Sequence, residues 1–516
     1  MSFSAKEVAL TYYNKKSEFL KGTRKIAVYV CRCGIERNQE ISKGYTNLFS
    51  HVQTAHPDYM DVMNSKKKKD KESNPLLKFV NVKSSLVYNW LELVIELNFP
   101  FTLIESNLFR KAVKYEDISV DTFQKYLYLL TEQVEKLVAK DLPAKIGIVI
   151  DGWSEGSQHF FGVFAAFDTP EFPLLAIAPP VDEESYSSLN QAAFIVDCLE
   201  MYGKTVEDVL FLVADNTAVN PATARELHCP FIGCASHRFN LAVKEFMQPH
   251  EESLQNINDL MLKLSTLKIA GALRKRTDLK PIKRNVTRWS STYSMLNRFF
   301  ALKDILPALN NPEVNVFIPD GRKMNELEGL LKDFKKFESV TKALQSTSIN
   351  LAEVRILFDS VKSLFPTLEN RLREDASLVF DEHFQTGIVK IINGQEKDLS
   401  DEQVAEVAVF LKVLDTDVQE IDPVEQEEDF ARALLKANER SQINNSSEYV
   451  NLKWIPPTSN ICERLFSASR QVISYLRQVL TDYRKSMSPY TFECIMFLKM
   501  NRKYWDVDLV NEVKCI

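Results

Sequence analysis

The chain has 516 residues, of which 45% are apolar and 26% charged. These are globular proportions, and they exclude a wholly disordered or collagen-like chain. The net charge of −6 speaks against a uniformly basic nucleic-acid binder. The charge is uneven, however: residues 1–80 hold 15 Lys and Arg against 8 Asp and Glu. A basic first module on an acidic body suggests that the first module meets a polyanion, or only that it has a basic soluble face. No run of about 18 apolar residues occurs, so no membrane span is expected. The opening MSFSAKEVALTYYNKKSEF lacks the basic-then-apolar layout of a secretory signal. The 8 Cys are then read as thiols or metal ligands rather than as a disulfide framework.

Residues 1–62 form a short mixed segment with a metal-ligand pattern. Cys31 and Cys33 are one residue apart, and His51 and His56 lie five apart on an expected short helix. Two thiolates and two imidazoles complete a tetrahedral zinc shell, and so small a module cannot fold on its apolar core alone. Generic zinc motifs place at least two residues between the Cys, so the spacing here departs from them. The alternative is a chance cluster of buried thiols. Arg32, Lys43 and the aromatic Tyr45 flank the candidate ligands, where they would contact phosphates and a base edge or sugar. Residues 63–76 carry Lys66, Lys67, Lys68 and Lys69 in succession. Like charges with nothing apolar to bury predict a solvated linker, which also fits a nuclear-import signal.

Residues 77–140 read as helical. LVYNWLELVIELNFPF is apolar on more than one face, and Phe123, Tyr126, Leu127, Leu130, Val134 and Leu137 recur at helical spacing. The pattern changes at residue 145. Ile146–Ile150 predicts a strand ending in Asp151, Phe160–Phe167 a second and Leu174–Ala178 a third. A helix over 187–201 follows, then a strand Val209–Ala214 ending in Asp215. Asn220-Pro221 reads as a helix start. Phe231–Ala235 is a fifth strand, and a long helix begins near His237. Short continuous apolar runs mean central strands buried on both faces, hence an α/β sheet of five strands rather than a sandwich. Residues 291–449 lack strand signals and predict an all-α block. Residues 450–516 contain a final amphipathic helix, 460–480.

Three carboxylates stand out. Asp151 and Asp215 end strands that would be neighbours, and Glu463 opens the last helix. Like charges brought to one sheet edge repel, and a divalent cation offsets that cost. Each also has a local reading: a turn at Asp151-Gly152, a helix cap at Asp215, and a capping box from Asn460 to Glu463.

These residues resemble a family. Cys31-x-Cys33…His51-x4-His56 with GYTNLFSHVQTAHPDY is similar to the BED-type zinc finger. IDGWS, VADNTAVN, GCASHRFNLAV, NVTRWSSTYSML and TSNICERLFSASRQVIS with YRKSMSPYTFECIMFLKMN follow in the order of the blocks of hAT-superfamily transposases. The resemblance implies an RNase H-like core over 141–290, interrupted by the 291–449 insertion and completed by the helix of the C-terminal dimerisation region. It assigns Asp151, Asp215 and Glu463 as catalytic residues that hold Mg²⁺ or Mn²⁺, and zinc to the finger. It implies cutting and joining of double-stranded DNA, a nuclear site of action, and a homodimer or higher homo-oligomer. It places His237, Arg288 and Trp289 against DNA, with Trp289 stacking on a displaced base. Cys234 is read as a packed thiol. The lead NNSSEYVNLKWIPPTSN is shorter than the family pattern. A domesticated descendant that binds DNA and dimerises without cutting would share the fold and the finger.

Overall fold

The structure, a computed structural model, describes residues 5–21, 24–40, 45–57, 59–60, 62–63, 82–155, 158–179, 187–285, 288–412, 447–479 and 488–513. The chain divides into two compact units, Met1–Ser85 and Leu86–Ile516. The Lys66–Lys69 run and Lys43 lie outside the described residues.

The first unit is more sheet-like than its sequence suggests. A helix α1 (Ala5–Tyr12) leads into strands β1 (Tyr13–Lys21), β2 (Arg24–Cys31) and β3 (Glu36–Glu40), which form an antiparallel sheet in that order; helix α2 (Thr46–Ala55) follows. Tyr13 pairs with Cys31 and Val30 with Glu36. Its core is Val8, Ala9, Tyr12, Tyr13, Cys31, Leu48, Val52 and Met63. So small an apolar set is too little to hold a module of this length alone.

The second unit carries a five-stranded mixed sheet in the order β6-β5-β4-β7-β8, made of β4 (Ile146–Glu155), β5 (Gln158–Ala166), β6 (Leu174–Ala178), β7 (Val209–Ala214) and β8 (Phe231–Gly233). β4 runs parallel to β7 and antiparallel to β5. The two Asp-bearing strands are therefore neighbours. Strand alternation sorts the apolar residues. Ile146, Ile148 and Ile150 face one core with Phe161 and Val163, whereas Val149, Trp153, Phe211 and Val213 face another. The first core is covered by α3 (Val82–Leu97), α4 (Val120–Asp141) and α5 (Ser188–Met201), through Trp90, Phe123, Leu127 and Ile195. Ser119 caps α4 by accepting from the Thr122 amide. Val138 completes its buried stripe, while Leu137, placed on that stripe by spacing, is 37% exposed.

Residues 219–226 form α6, and α7 (Ala235–Met247) leaves β8 directly. β4 runs past Asp151 to Glu155, and β8 stops at Gly233. The helical block begins earlier than residue 291. α7, α8 (Glu251–Leu264), α9 (Trp289–Leu302), α10 (Gly321–Leu344) and α11 (Leu351–Leu364) share one core around Phe239, Leu260, Trp289, Phe299, Phe334 and Phe358. By contrast α12 (Glu382–Ile392) and Tyr449–Ile455 pack on the second sheet face. The all-α pattern expected over 291–449 breaks off after residue 410 among the described residues. Asp401–Val407 is helical, a 3₁₀ turn covers Ala408–Phe410, and Leu411 then makes an antiparallel bridge with Tyr449; residues 413–446 lie outside the described residues.

The last helices close the fold. α13 (Asn460–Val479) lays Cys462, Leu465 and Phe466 on the second sheet face, and α14 (Pro489–Met500) follows. Gly162 on β5 is needed for that approach, since a Cβ there would meet the Leu465 side chain at 2.6 Å. Asn501 ties down β6, accepting from the Leu174 amide (3.1 Å) and donating to its carbonyl (2.8 Å).

Candidate functional site

Two constellations carry chemistry. In the first unit, Cys31 ends β2 and Cys33 sits in the turn to β3. The turn is closed by hydrogen bonds from the Cys31 amide to Ile35 O and from the Gly34 amide to Cys31 O, both 2.8 Å. Gly34 adopts φ +88°, which a side chain would resist. This tight turn is how two thiols one residue apart point to a common centre. His51 is buried on α2 and His56 lies just past its end. Cys31 Sγ is 3.3 Å from His56 Nε2, and Cys33 Sγ is 3.3 Å from His51 Nε2. All four ligand atoms fall within 4.8 Å of one another. Ordinary Zn–S and Zn–N bonds in a tetrahedron give S···N edges of about 3.5 Å, so the cage has the size of a zinc site. Burial, then the charges of Arg37 and His56, lower the His51 pKa and favour the neutral ligand form. Burial raises the Cys31 thiol instead, so a cation is needed to ionise it. The cluster can hold a metal ion, and its donors suit zinc. Nearby, exposed Arg32 lies 5.4 Å over the Tyr12 ring. Tyr45 is half-buried at the start of α2.

In the second unit, Val149 pairs with Val213 across the β4–β7 ladder. Two residues further on, Asp151 and Asp215 follow the same alternation toward the face covered by α13. Asp151 is not a turn residue: it lies inside β4, accepting from the Gly152 amide at 2.9 Å. Burial, then the charges of Asp215 and Glu463, push its carboxyl up to about 7. Asp215 has the opposite balance. Burial acts to raise it, but His237 and both the amide and hydroxyl of Thr217 outweigh burial and leave it lowered. Its Oδ1 accepts from Thr217 N (3.0 Å), Thr217 Oγ1 (2.7 Å) and Asn220 Nδ2 (2.6 Å), while His237 Nδ1 lies 3.5 Å from Oδ2. α6 begins after Ala218, which makes no side-chain cap, so Asp215 does not cap it. Glu463 pairs with Arg288 at 2.9 Å. Asn460 does not close a capping box; its amide donates to Ser236 Oγ and Leu344 O.

The carboxylates share a field without meeting. Among the described residues, the Cys31–Cys33–His51–His56 group alone brings three or more ligand atoms within 4.8 Å of one another. Trp289, which the resemblance places against DNA, is buried. It is 3% exposed, its ring lies against Tyr293, Phe334 and Phe337, and its amide donates to Asn240 Oδ1. The reason is the helical core, which takes the first residue of α9 as a buried aromatic. Cys234 is a packed thiol that accepts from the Ser459 amide at 3.3 Å.

Several contributors escape sequence reasoning. Asn220, expected as a helix start, holds Asp215 instead. Asn216 donates to Cys234 O at 3.2 Å and packs so closely on Gly233 that a Cβ there would lie 2.0 Å from its Oδ1. A cationic strip also leads toward Arg288. Lys268, Arg274, Lys275, Arg276, Lys280 and Lys283 are exposed and make no ion pair among the described residues, and Asp278 is the one acid between them. Its density of Lys and Arg was a readable signal. No protein-family model matches the chain, and no curated protein matches it either. Among the described residues, no helix is long and apolar enough to cross a membrane.

Proposed function

We propose that the chain is a nuclear, hAT-type DNA transposase with a BED-like zinc finger and an RNase H-like core, which cuts and joins DNA at Asp151, Asp215 and Glu463. One observation carries the reading. Burial and two carboxylates from distant parts of the chain, Asp215 and Glu463, act on one group and hold the Asp151 carboxyl near 7. Negative charges on hard oxygen donors that raise one another's pKa are the environment a Mg²⁺ or Mn²⁺ ion relieves. When bound, such ions polarise a phosphoryl oxygen and supply a nucleophile at neutral pH. The chain's own groups prepare that site. Thr217 and Asn220 fix the ionised Asp215, His237 orients its second oxygen, and Asp151 would hold such an ion in its ionised form. The strip from Lys268 to Lys283 offers a phosphate track ending at Arg288, and binding through it would weaken steeply with salt. The finger, with Arg32 and Tyr45, would hold the terminal repeat, and the C-terminal region would build a homodimer or higher oligomer.

A second reading is a domesticated DNA-binding regulator that does not cut. The ion pair that engages Glu463 and the buried Trp289 favour it. Mn²⁺-dependent nicking of supercoiled DNA separates the two. The transposase reading expects nicking by the wild type and a loss of about 100-fold or more in Asp215→Asn. Equal background in both proteins, on the element's own ends as well, would give the protein to the regulator reading.

A further inference from the structure

The second unit contains a cavity of about 270 Å³ away from the acidic site, between α7, α11 and α12. Three cationic side chains line it: Arg238 from α7, Arg355 from α11 and Lys390 from α12; Glu374 is the one acid on its wall. Arg355 is already neutralised, by a two-point pair with Asp359 at 2.7 and 3.0 Å. Lys390 is not: its ammonium donates to Asp398 O and Gln403 Oε1, neither of them charged. Arg238 is the unusual group. It is only 7% exposed, yet its guanidinium donates to the backbone carbonyls of Arg371 and Arg373 and forms no ion pair among the described residues. Burial, then repulsion from Arg355, lower its pKa to about 10. Two carbonyls do not balance a buried positive charge, which costs several kcal/mol unless it is paired. A purely structural arginine would need no cavity in front of it.

We infer that this cavity is a binding site for a small phosphate monoester, with Arg238 and Lys390 as the phosphate ligands. Two unneutralised cations against Glu374 leave the wall net positive, which an anion balances, and two cationic donors suit the several oxygens of a phosphoryl group. Arg supplies a planar fork of donors that matches phosphate oxygens, and Lys adds a point charge. Phe358, under the Arg238 guanidinium at 5.4 Å, and Val354 give an apolar wall for the body of the ligand. The volume lies below the range of drug-sized pockets, so the ligand is compact. Arg238 follows His237 on α7, so occupancy also bears on the helix that orients Asp215. The phosphate could come from a free metabolite or from the 5′ end of a DNA strand.

The test is calorimetric titration of the full chain with inorganic phosphate and phenyl phosphate at constant ionic strength. The expected result is saturable one-to-one binding, with a Kd between roughly 10 μM and 1 mM. Lys390→Gln should weaken it about tenfold and Arg238→Gln should abolish it, while the exposed Lys332→Gln should change nothing. Arg238→Gln also frees two carbonyls; if it fails to fold, Lys390→Gln against Lys332→Gln still decides. Displacement of phenyl phosphate by a 5′-phosphorylated but not a 5′-hydroxyl oligonucleotide would support the site and assign the phosphate to a DNA end. Lack of displacement by either, with binding intact, would support it and assign a free small molecule. No saturable binding, equal weakening in both lysine variants, or benzoate binding as tightly as phenyl phosphate would each overturn the inference.

Discussion

The Cys–His cage and the acidic site are both sets of side chains that could hold a metal, yet among the described residues only the cage has its donors gathered. Thiols and singly protonated imidazoles are neutral near pH 7, so four of them can pack within 4.8 Å without repulsion. Carboxylates cannot. In the acidic site one proton stays on Asp151 to about pH 7, Asp215 is fixed by neutral donors, and Glu463 is paired with Arg288. Preorganisation is therefore cheap where the ligand can shed its charge. Where it cannot, the protein holds ligands apart with protons and cations until a metal replaces them.

The sharpest way to break this comparison is to deprive the Cys31–Cys33–His51–His56 cage of metal. Structural zinc contributes about 10–16 kcal/mol to modules of this kind, and the small core of the first unit offers no substitute. A chelator, or His51→Ala, should abolish amide protection across β2 and α2 while the second unit's sheet stays protected. Hydrogen exchange on the full chain reads both units at once, and metal analysis should return one zinc per chain. Retained protection in α2 after chelation would show that the cage is only a packed cluster.

A smaller effect tests how the acidic site is held. Gly233→Ala would place a Cβ 2.0 Å from Asn216 Oδ1, next to Asp215. Overpacking of this kind costs about 1–3 kcal/mol. Displacing Asp215 should also lower nicking about tenfold or more, since a misplacement near 1 Å is that expensive. Unchanged stability would mean that Asn216 has room to move.

That glycine also marks what a sequence can and cannot disclose. The sheet was legible because Ile146–Ile150 and Val209–Ala214 are short apolar runs that can only be buried strands. Their ends located Asp151 and Asp215, and rarity of residue type located Cys31, Cys33, His51 and His56. β1–β3 were not legible: YNKKSEFLK and ERNQE are mostly polar and expose one face. The fate of Trp289 was ambiguous because one aromatic suits a core or a base equally. The network of Asn216, Asn220 and Thr217 and the cavity of Arg238, Arg355 and Lys390 depend on close approaches between distant segments, which no spacing records.

The Asp151 proton gives a pH test with a definite sign. Its carboxyl sits near 7 in the folded chain against an ordinary 3.8, so the folded state binds the extra proton between those limits. Stability from this group is fully present below about pH 4 and lost as pH rises through about 7. Asp151→Asn removes the dependence. It should match the wild type at pH 4 and exceed it at pH 8, by about 2 kcal/mol, less than the full linkage of ~1.4 kcal/mol per unit because part of the field is screened. Thermal or urea melts at the two pH values measure it. A lower stability than wild type at pH 8 would show that the carboxyl is not under strain from Asp215 and Glu463. Mn²⁺ should restore wild-type stability at pH 8 and do less for the Asn variant.

Arg288 offers the smallest effect and the finest discrimination. Its side chain is largely exposed, and an exposed pair at 2.9 Å is worth about 0–1 kcal/mol, so Arg288→Gln should leave the melting temperature nearly unchanged. If Arg288 holds the place of a cation at Glu463, the variant should bind Mn²⁺ a few-fold more tightly, because the competing charge has gone. If Arg288 also contacts phosphate at the end of the cationic strip, nicking should fall in the same variant and its salt dependence should flatten by about one counterion. Tighter Mn²⁺ binding with full nicking would leave only the placeholder role. Unchanged Mn²⁺ binding would mean that the Arg288–Glu463 pair does not restrain the site, and that repulsion among the three carboxylates alone keeps them apart.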